Sequence, residues 1–265
     1  RRHWMPWRCP MSWDDLVYAL DPVAWVRSLG WEPDPWQQEM MGSSASRICL
    51  NVARQSGKST TTAAIALHTA LFVPGSVALI ISPSLRQSVE TFRKVGTFLA
   101  RVPDRPTARQ DSATQLELKS GSRIIALPGT GDSIRSFSAD LLVLDEAARI
   151  EDAVIRAVTP MLATKANGRM LVLSTPGLKS GFYWEKWTHG GKSWHRIKAT
   201  VEDCPRITQE FLDEERASMS EQHFRAEYFG QFLDADDMQW LSTDLIDSLA
   251  DPSVRPLWPS RLEVA

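Results

Sequence analysis

One junction constrains the fold of this chain more than any other. An apolar run, Arg47-Ile48-Cys49-Leu50-Asn51-Val52, leads through Ala53-Arg54-Gln55-Ser56-Gly57-Lys58-Ser59 into Thr60-Thr61-Thr62-Ala63-Ala64-Ile65-Ala66-Leu67. The first segment reads as a buried strand and the last as a helix. Strand, loop and helix in that order are the context in which a Gly-Lys-Ser turn cradles phosphate. Backbone N–H groups of such a loop point inward, and the helix that follows begins there with its positive dipole end. Lys58 would reach β- and γ-phosphates, the Ser59 hydroxyl would hold Mg²⁺, and Gly57 keeps a Cβ out of the phosphate's path. The loop departs from the common pattern in two ways: Val52 stands where the first glycine is usual, and Arg54-Gln55 lies inside.

Further apolar runs follow at 77–81, 141–144 and 170–173, with helical stretches predicted at 85–101 and 153–162 between them. Continuous apolar strands with helical crossovers mean a mainly parallel sheet covered on both faces, so the fold class is α/β. Short strands at 116–118 and 123–127 flank Ser120-Gly121-Ser122 as a hairpin. Residues 1–30 carry helical spacing through Trp13, Leu16, Val17, Leu20, Val23 and Val26 and end at Gly30, with Asp14 and Asp15 near the start. Pro33-Asp34-Pro35-Trp36-Gln37-Gln38 reads as a turn entering a short helix. Polar helices are expected at Gln209–Ser218 and Glu221–Phe229. The predicted organisation is an N-terminal helical segment at 1–30, a core at 31–200, and a lid and linker at 201–265.

A length of 265 residues with 43% hydrophobic and 23% charged content is that of an ordinary globular protein. Cys9, Cys49 and Cys204 lie far apart and form neither a disulfide framework nor a metal spacing, which fits a reducing compartment. No apolar run approaches the roughly 18 residues that a membrane span needs. The chain opens Arg1-Arg2-His3 without methionine, as a fragment of a longer protein would. The net charge of −2 conceals an asymmetry: residues 202–265 hold fifteen acids and five bases, which leaves about +8 on residues 1–201. A basic core with an acidic tail makes an anionic partner for the core plausible.

Chemistry-bearing residues follow the same order as the strands. Leu141-Leu142-Val143-Leu144 ends in Asp145-Glu146, and ligands of open α/β sheets bind at that strand edge. Asp145 is placed to support Mg²⁺, and Glu146 to orient and deprotonate an attacking water. The alternative for such a pair is capping of the next helix. Ser174-Thr175-Pro176 ends the next apolar strand, as a γ-phosphate sensor or a plain helix cap. Arg135 precedes Asp145 by ten residues, either as a cation for phosphoryl transfer or as a solvated loop residue. Gln37 offers an amide for adenine or is an exposed helix residue.

In this order, Pro35-Trp36-Gln37, the Ala53–Ser59 loop, Ile81-Ser82-Pro83-Ser84, Ile134-Arg135-Ser136-Phe137-Ser138-Ala139-Asp140, Asp145-Glu146-Ala147-Ala148 and Ser174-Thr175-Pro176 resemble the ATPase domain of tailed-bacteriophage terminase large subunits. Phe224-Arg225-Ala226-Glu227-Tyr228-Phe229-Gly230-Gln231-Phe232 is similar to the family's segment between ATPase and nuclease domains. The resemblance implies a P-loop NTPase fold of the ASCE/RecA-like kind. It implies ATP hydrolysis driving double-stranded viral DNA into a procapsid, with ATP and Mg²⁺ as cofactors. Its implied nucleotide site is Gln37, Arg54, Gln55, Ser56, Gly57, Lys58, Ser59 and Thr60. Ser59 and Asp145 are the implied metal residues, Glu146 the base, and Arg54 acts near the phosphates. Arg135 holds the place of an arginine finger acting in trans, and Ser174, Thr175 and Pro176 that of the coupling motif.

Implied partners are DNA, a portal protein, a small terminase subunit and a homo-oligomeric ring, a pentamer on the portal and a monomer in isolation, with no membrane. The implied location is the host bacterial cytoplasm, docked transiently at the procapsid portal and absent from the mature virion. Departures are Ser136, where a glycine often follows the finger arginine, and Gln231, where an acid is common. Only about thirty residues follow Phe232, and Asp234, Asp236 and Asp237 there are too few to build a nuclease, so no nuclease activity is expected. Two alternatives stand beside the motor: a superfamily-2-like helicase, and a nucleotide-binding ring module inactive as a monomer. Nine Arg/Lys between 86 and 135 (Arg86, Arg93, Lys94, Arg101, Arg105, Arg109, Lys119, Arg123 and Arg135) are the expected source of phosphate contacts to DNA.

Overall fold

The computed structural model describes residues 13–103, 106–130 and 137–234. Cys9, Arg105, Arg135, Ser136, Asp236 and Asp237 therefore lie outside the described residues. The chain enters through α1 (Trp13–Leu20), α2 (Pro22–Ser28) and α3 (Pro35–Gly42). The sequence pattern reads through α1 and α2 without a break, but Pro22 cannot continue a helix. Asp21 caps α2 instead, accepting from the N–H groups of Val23 at 2.8 Å and Ala24 at 3.1 Å. Val23, Trp25, Val26 and Leu29 join the main core, so α2 packs onto the sheet's helical layer, while α1 buries none of its residues.

The described residues form one eight-stranded sheet. Its strands are β1 (Arg47–Val52), β2 (Val77–Ser82), β3 (Ala108–Asp111), β4 (Gln115–Leu118), β5 (Arg123–Pro128), β6 (Leu141–Asp145), β7 (Arg169–Ser174) and β8 (His195–Ala199). Their order is β3-β4-β5-β2-β6-β7-β1-β8. From β5 to β8 all neighbours are parallel, and β3 and β4 close one edge as an antiparallel hairpin ladder onto β5. The four central strands β1, β2, β6 and β7 are buried nearly end to end, which is why their sequences run apolar without alternation. The edge strands β3 (Ala-Arg-Gln-Asp) and β8 (His-Arg-Ile-Lys-Ala) carry charge, and so gave no apolar signal in the sequence; charge on an edge also discourages pairing with another chain.

Helices α4 (Lys58–Phe72) and α5 (Leu85–Leu99) follow β1 and β2. Short α6 (Asp152–Val158) runs into a 3₁₀ turn at Thr159–Leu162, and α7 (Gly181–His189) follows β7. Two apolar clusters cover the two faces of the sheet. Beyond β8, α8 (Gln209–Ser218) and α9 (Glu221–Phe229) close a small third cluster on Val201, Leu212, Phe224 and Tyr228. The chain after α9 returns to the end of β7: the Leu233 N–H donates to the Gly177 carbonyl and the Lys179 N–H to that of Leu233, both at 2.9 Å. Because the central strands are parallel, the residues at their carboxyl ends (Val52, Ser82, Asp145 and Ser174) share one edge.

His68 of α4 shows how the N-terminal helices are fastened. Its ring packs edge-on against Trp25 and tilted against Phe72, and its Nε2 lies 2.8 Å from the Tyr18 carbonyl. A carbonyl only accepts, so Nε2 carries a proton. Burial pushes its pKa down to about 4. A histidine that protonates near 6.5 in the unfolded chain and near 4 in the folded one favours unfolding as pH falls through that window. The stability it withdraws is roughly 3 kcal/mol in full. Urea unfolding of the wild type and His68→Phe should therefore show a free-energy gap that shifts by this order against the wild type from pH 7 to pH 4. A gap that stays constant with pH would contradict it.

Candidate functional site

The edge shared by the carboxyl ends of β1, β6 and β7 opens into a cavity of about 540 Å³. Gln37, Arg54, Gln55, Gly57, Lys58, Ser59, Thr60 and Glu146 line it, joined by Trp31, Glu32, Lys94 and Arg206. Eight predicted residues thus converge on this cavity; of the other four, Trp31, Glu32 and Arg206 were not singled out in the sequence, and Lys94 was expected elsewhere.

The loop after β1 is shaped by two left-handed residues, Gln55 at φ +58° and Gly57 at φ +101°. The positive φ at 57 favours glycine, and a Cβ there would stand 2.7 Å from Gln37 Nε2, so any side chain would also displace the Gln37 amide. Buried Ser56 closes the turn internally, its hydroxyl donating to the Ala53 carbonyl at 2.7 Å. Lys58 lies deep in the cavity, where its ammonium donates to the carbonyls of Val52 (3.1 Å) and Ala53 (3.2 Å) and stands 4.0 Å from Glu146 Oε1. Burial lowers its pKa, opposed by the charges of Glu146 and Asp145. The Arg54 N–H donates to the Glu227 carbonyl of α9 at 2.7 Å, while its side chain is exposed on the cavity wall.

The two acids behave differently. Asp145, the last residue of β6, is buried, and its Oδ2 accepts from Thr91 Oγ1 of α5 at 2.9 Å. Its Oδ1 is buried with no hydrogen-bond partner. Burial first, and the neighbouring Glu146 charge second, push its pKa up to about 6. Glu146 leaves the strand in the left-handed region at φ +55°, a conformation that costs a non-glycine residue about 1 kcal/mol or more. The twist takes its side chain off the strand line to the cavity wall, where Oε2 lies 3.4 Å from the Ser174 hydroxyl. The alternative role, capping the turn that follows, is not taken up by the Glu146 side chain, which makes no cap hydrogen bond to the 3₁₀ turn at Ala147–Arg149.

Ser174 pairs in register with Asn51, one strand from the loop, and both Ser174 and Thr175 are buried. The buried Tyr183 hydroxyl lies 2.9 Å from the Leu50 carbonyl and 3.1 Å from that of Ser174, pinning the ends of β1 and β7. Pro176 leads into Gly177–Lys179, the segment zipped to Leu233, and Lys179 pairs with Asp234 at 2.7 Å.

Gln37 is in the cavity wall but is not an exposed helix residue. Its Oε1 accepts the Asp34 N–H at 2.7 Å and its Nε2 approaches the Ser56 carbonyl at 3.4 Å, so its amide braces the loop. Arg206, between β8 and α8, was missed in the sequence. Its guanidinium grips both oxygens of buried Asp34, at 2.8 and 2.6 Å, and reaches the Ser56 carbonyl at 3.2 Å. The available signal was chemical: a carboxylate buried between Pro33 and Pro35 needs a cation, and Arg206 is among the few bases of the acidic C-terminal stretch. Lys94, one of the bases expected to face DNA, is half-buried on this cavity instead, its pKa lowered by burial and raised by Asp145. Of the other bases in that set, Arg93 pairs with Glu90 and Arg109 with Glu117.

The donor set fits a hard cation only in part. Among the described residues no group of three or more His, Cys, Asp or Glu is placed to hold a metal. One unpartnered carboxylate oxygen on Asp145 and the Ser59 hydroxyl are what a Mg²⁺ ion uses when phosphate oxygens and water complete its shell. Thr91 sets which Asp145 oxygen stays free. Replacing Thr91 by Val should cost about 1–3 kcal/mol in chemical denaturation, while Thr91→Ser should keep most of the stability. Equal losses in both variants would show that the hydroxyl is not what matters.

The residues from 49 to 246 match the family model described as "Terminase large subunit, T4likevirus-type, N-terminal". The terminase large subunit of Thermus phage G20c is 25% identical over 254 residues, which cover 82% of this chain and 52% of that protein. The chain thus spans about half the length of the curated relatives it matches. Among solved structures, the large terminase ATPase domain of Thermus phage P74-26 is similar with a TM-score of 0.69 and 24% identity, covering 78% of this chain and 97% of that one. The large terminase of another thermophilic bacteriophage, in complex with ATP-γ-S, matches with a TM-score of 0.60 and 9% identity over 76% of this chain and 53% of that one. At such identities these structures speak for the fold: the sheet is that of the terminase ATPase domains. Among the described residues no helix is long and apolar enough to cross a membrane.

Proposed function

Because this chain belongs to the T4likevirus-type family of terminase large-subunit N-terminal domains, we propose that it is an ATP hydrolase whose turnover moves double-stranded DNA into a procapsid. The observation that carries the chemistry is the convergence of Lys58, Ser59 and Glu146 on one cavity, with the free oxygen of Asp145 buried beside them. Membership of this family does not favour the helicase or the silent-module alternative. The basic balance of residues 1–201 supports the DNA partner, through contacts to phosphate that ignore sequence.

Each residue has a distinct task in this reading. The loop from Gln55 to Thr60 receives the phosphates on backbone N–H groups at the start of α4. Lys58 exchanges the Val52 and Ala53 carbonyls for phosphate oxygens; the exchange is favourable because a cation partly desolvated by burial gains more from an anion than from a dipole. Asp145 and Ser59 would hold Mg²⁺, which when bound neutralises charge between the β- and γ-phosphates. Glu146 orients a water for in-line attack and takes its proton, with Ser174 Oγ placed against its other oxygen. Ser174-Thr175-Pro176 then shares strand β7 and its continuation with the segment zipped to Leu233, a short route from the catalytic acid to the lid.

Arg54 is exposed at the phosphate end of the cavity as a further cation for the nucleotide. Arg135 is proposed as a finger delivered to a neighbouring copy, on the family resemblance of its segment alone. Homo-oligomerisation, the portal protein, the small subunit and action in the host cytoplasm belong to the same proposal, each resting on family membership.

Glu146→Gln should lower ATP turnover by ~10²-fold or more and leave nucleotide affinity within a few-fold. Lys58→Ala should lose affinity itself. Persistent turnover in the Gln variant would remove Glu146 as base. Specific activity should also rise steeply with protein concentration, and Arg135→Ala should abolish that rise. Activity proportional to concentration in both proteins would rule out a residue acting in trans.

A further inference from the structure

Most phosphate loops owe their shape to glycines, and this one has a single glycine between Val52 and Ser59. Its curvature is held within the loop by Ser56 and Lys58 and also supported from outside. The Ser56 carbonyl at the loop's apex receives two donors, Gln37 Nε2 at 3.4 Å and Arg206 Nη2 at 3.2 Å. Neither belongs to the loop. Gln37 is tied to Asp34 through the Asp34 N–H, and Arg206 is tied to Asp34 through both carboxylate oxygens. Asp34 is buried at 7% exposure, whereas the Arg206 side chain is 53% exposed and faces the cavity.

Three segments therefore meet at one carbonyl: the start of α3, the phosphate loop, and the connector that launches the lid helices. We propose that Asp34 and Arg206 form a clasp that sets the phosphate loop in its binding shape and ties the lid connector to it, making Arg206 a positioning residue for the nucleotide. The inference rests on the reading of this cavity as a nucleotide site. The physical case has three parts. A carboxylate buried this far is retained only if paired, and its cationic partner among the described residues is Arg206, in the bidentate geometry that only a guanidinium supplies. A guanidinium stays charged at any working pH, and the Asp34 contact raises the Arg206 pKa further. Finally, the Ser56 carbonyl precedes Gly57 directly; a shift of that peptide moves the N–H groups of Gly57 and Lys58 that open α4.

Arg206 was invisible as a loop residue because it lies 150 positions from Ser56 and 172 from Asp34. The lid itself has other attachments to the same region. Asn51 Nδ2 donates to the Gly230 carbonyl at 2.8 Å, and the Arg54 N–H to that of Glu227 at 2.7 Å. Those hold the far end of the lid, at the close of α9. The clasp holds its near end, before α8, so the phosphate loop and its strand are gripped from both ends of the lid.

The test is a double-mutant cycle on the whole chain, using Asp34→Asn, Arg206→Gln and both together, with Arg206→Lys as a variant that keeps the charge. The probe is a fluorescent ADP analogue with Mg²⁺, read as Kd, alongside KM and kcat for ATP. Either single substitution should weaken analogue binding and raise KM by ~10-fold or more, with kcat at saturating ATP within about threefold of wild type. The double variant should lose no more than the worse single one, because the residues act as a unit. Arg206→Lys should fall with the Gln variant, since one ammonium cannot grip two oxygens and the Ser56 carbonyl together. Lys58→Ala sets the scale for a broken site. If wild type and Lys58→Ala bind alike, the nucleotide reading fails. If Lys58→Ala loses binding while Arg206→Lys and Arg206→Gln bind like wild type, the clasp alone is wrong. Additive losses in the cycle, or a fall in kcat with KM unchanged, would also overturn it.

Discussion

The β1–β7–β6 hydrogen-bond ladder is what the rest of the molecule depends on. Adjacent strands lie about 4.8 Å apart, so inserting β7 between β1 and β6 sets the phosphate loop and the Asp145-Glu146 pair roughly 10 Å from each other. The registers Asn51↔Ser174 and Leu173↔Asp145 then bring all three strand ends to one level. One extended lysine closes most of that gap, since Lys58 leaves α4 beside the loop and its ammonium ends 4.0 Å from Glu146. A slip of one residue in either register would turn every inward side chain to the other face of the sheet. The Tyr183 hydroxyl, set against main-chain carbonyls of both β1 and β7, resists such a slip locally.

Burial makes this edge electrostatically tense. Asp145 is pushed up to about 6 and Lys58 downward, each mainly because a charge is held out of water. Their mutual attraction offsets only part of that cost, and neighbouring Glu146 opposes a second negative charge. Thr91 on Asp145, loop carbonyls on Lys58 and the Ser174 hydroxyl near Glu146 supply the remaining compensation. Such a cluster gains from an incoming polyanion with its cation more than a neutral surface would, because both ion types find partners already oriented. The left-handed backbone at Glu146 and Gln55 belongs to the same picture, strain kept where orientation matters.

What could be read from the sequence follows burial. β1, β2, β6 and β7 were legible because both their faces are covered, and the helices after Thr208 and Ser220 because capping hydroxyls and their spacing define them. β3, β8 and α7 were not, since charged edge strands and a mixed helix leave no period to detect. The break at Pro22 was visible yet outweighed by the apolar spacing on either side. In the site, Lys58, Ser59, Asp145 and Glu146 were legible because strand order alone forces them together. Gln37 was legible by position; the contacts of its amide with Asp34 and Ser56 were not, because they depend on the tertiary placement of the loop. Arg206, Lys94 and Trp31 reach the cavity through tertiary packing from a connector, a helix interior and a turn, for which no local pattern exists.

The central claim is that this strand edge is a phosphate site served by Lys58, Asp145 and Glu146. A crystal structure of the chain grown with ATP-γ-S and Mg²⁺ tests it most directly. The account predicts the triphosphate along Gln55–Thr60, the Lys58 ammonium moved from the Val52 and Ala53 carbonyls onto phosphate oxygens, and density for a cation on the side of Asp145 Oδ1. A nucleotide bound elsewhere on the chain, or bound here with Lys58 still on the loop carbonyls, would contradict it.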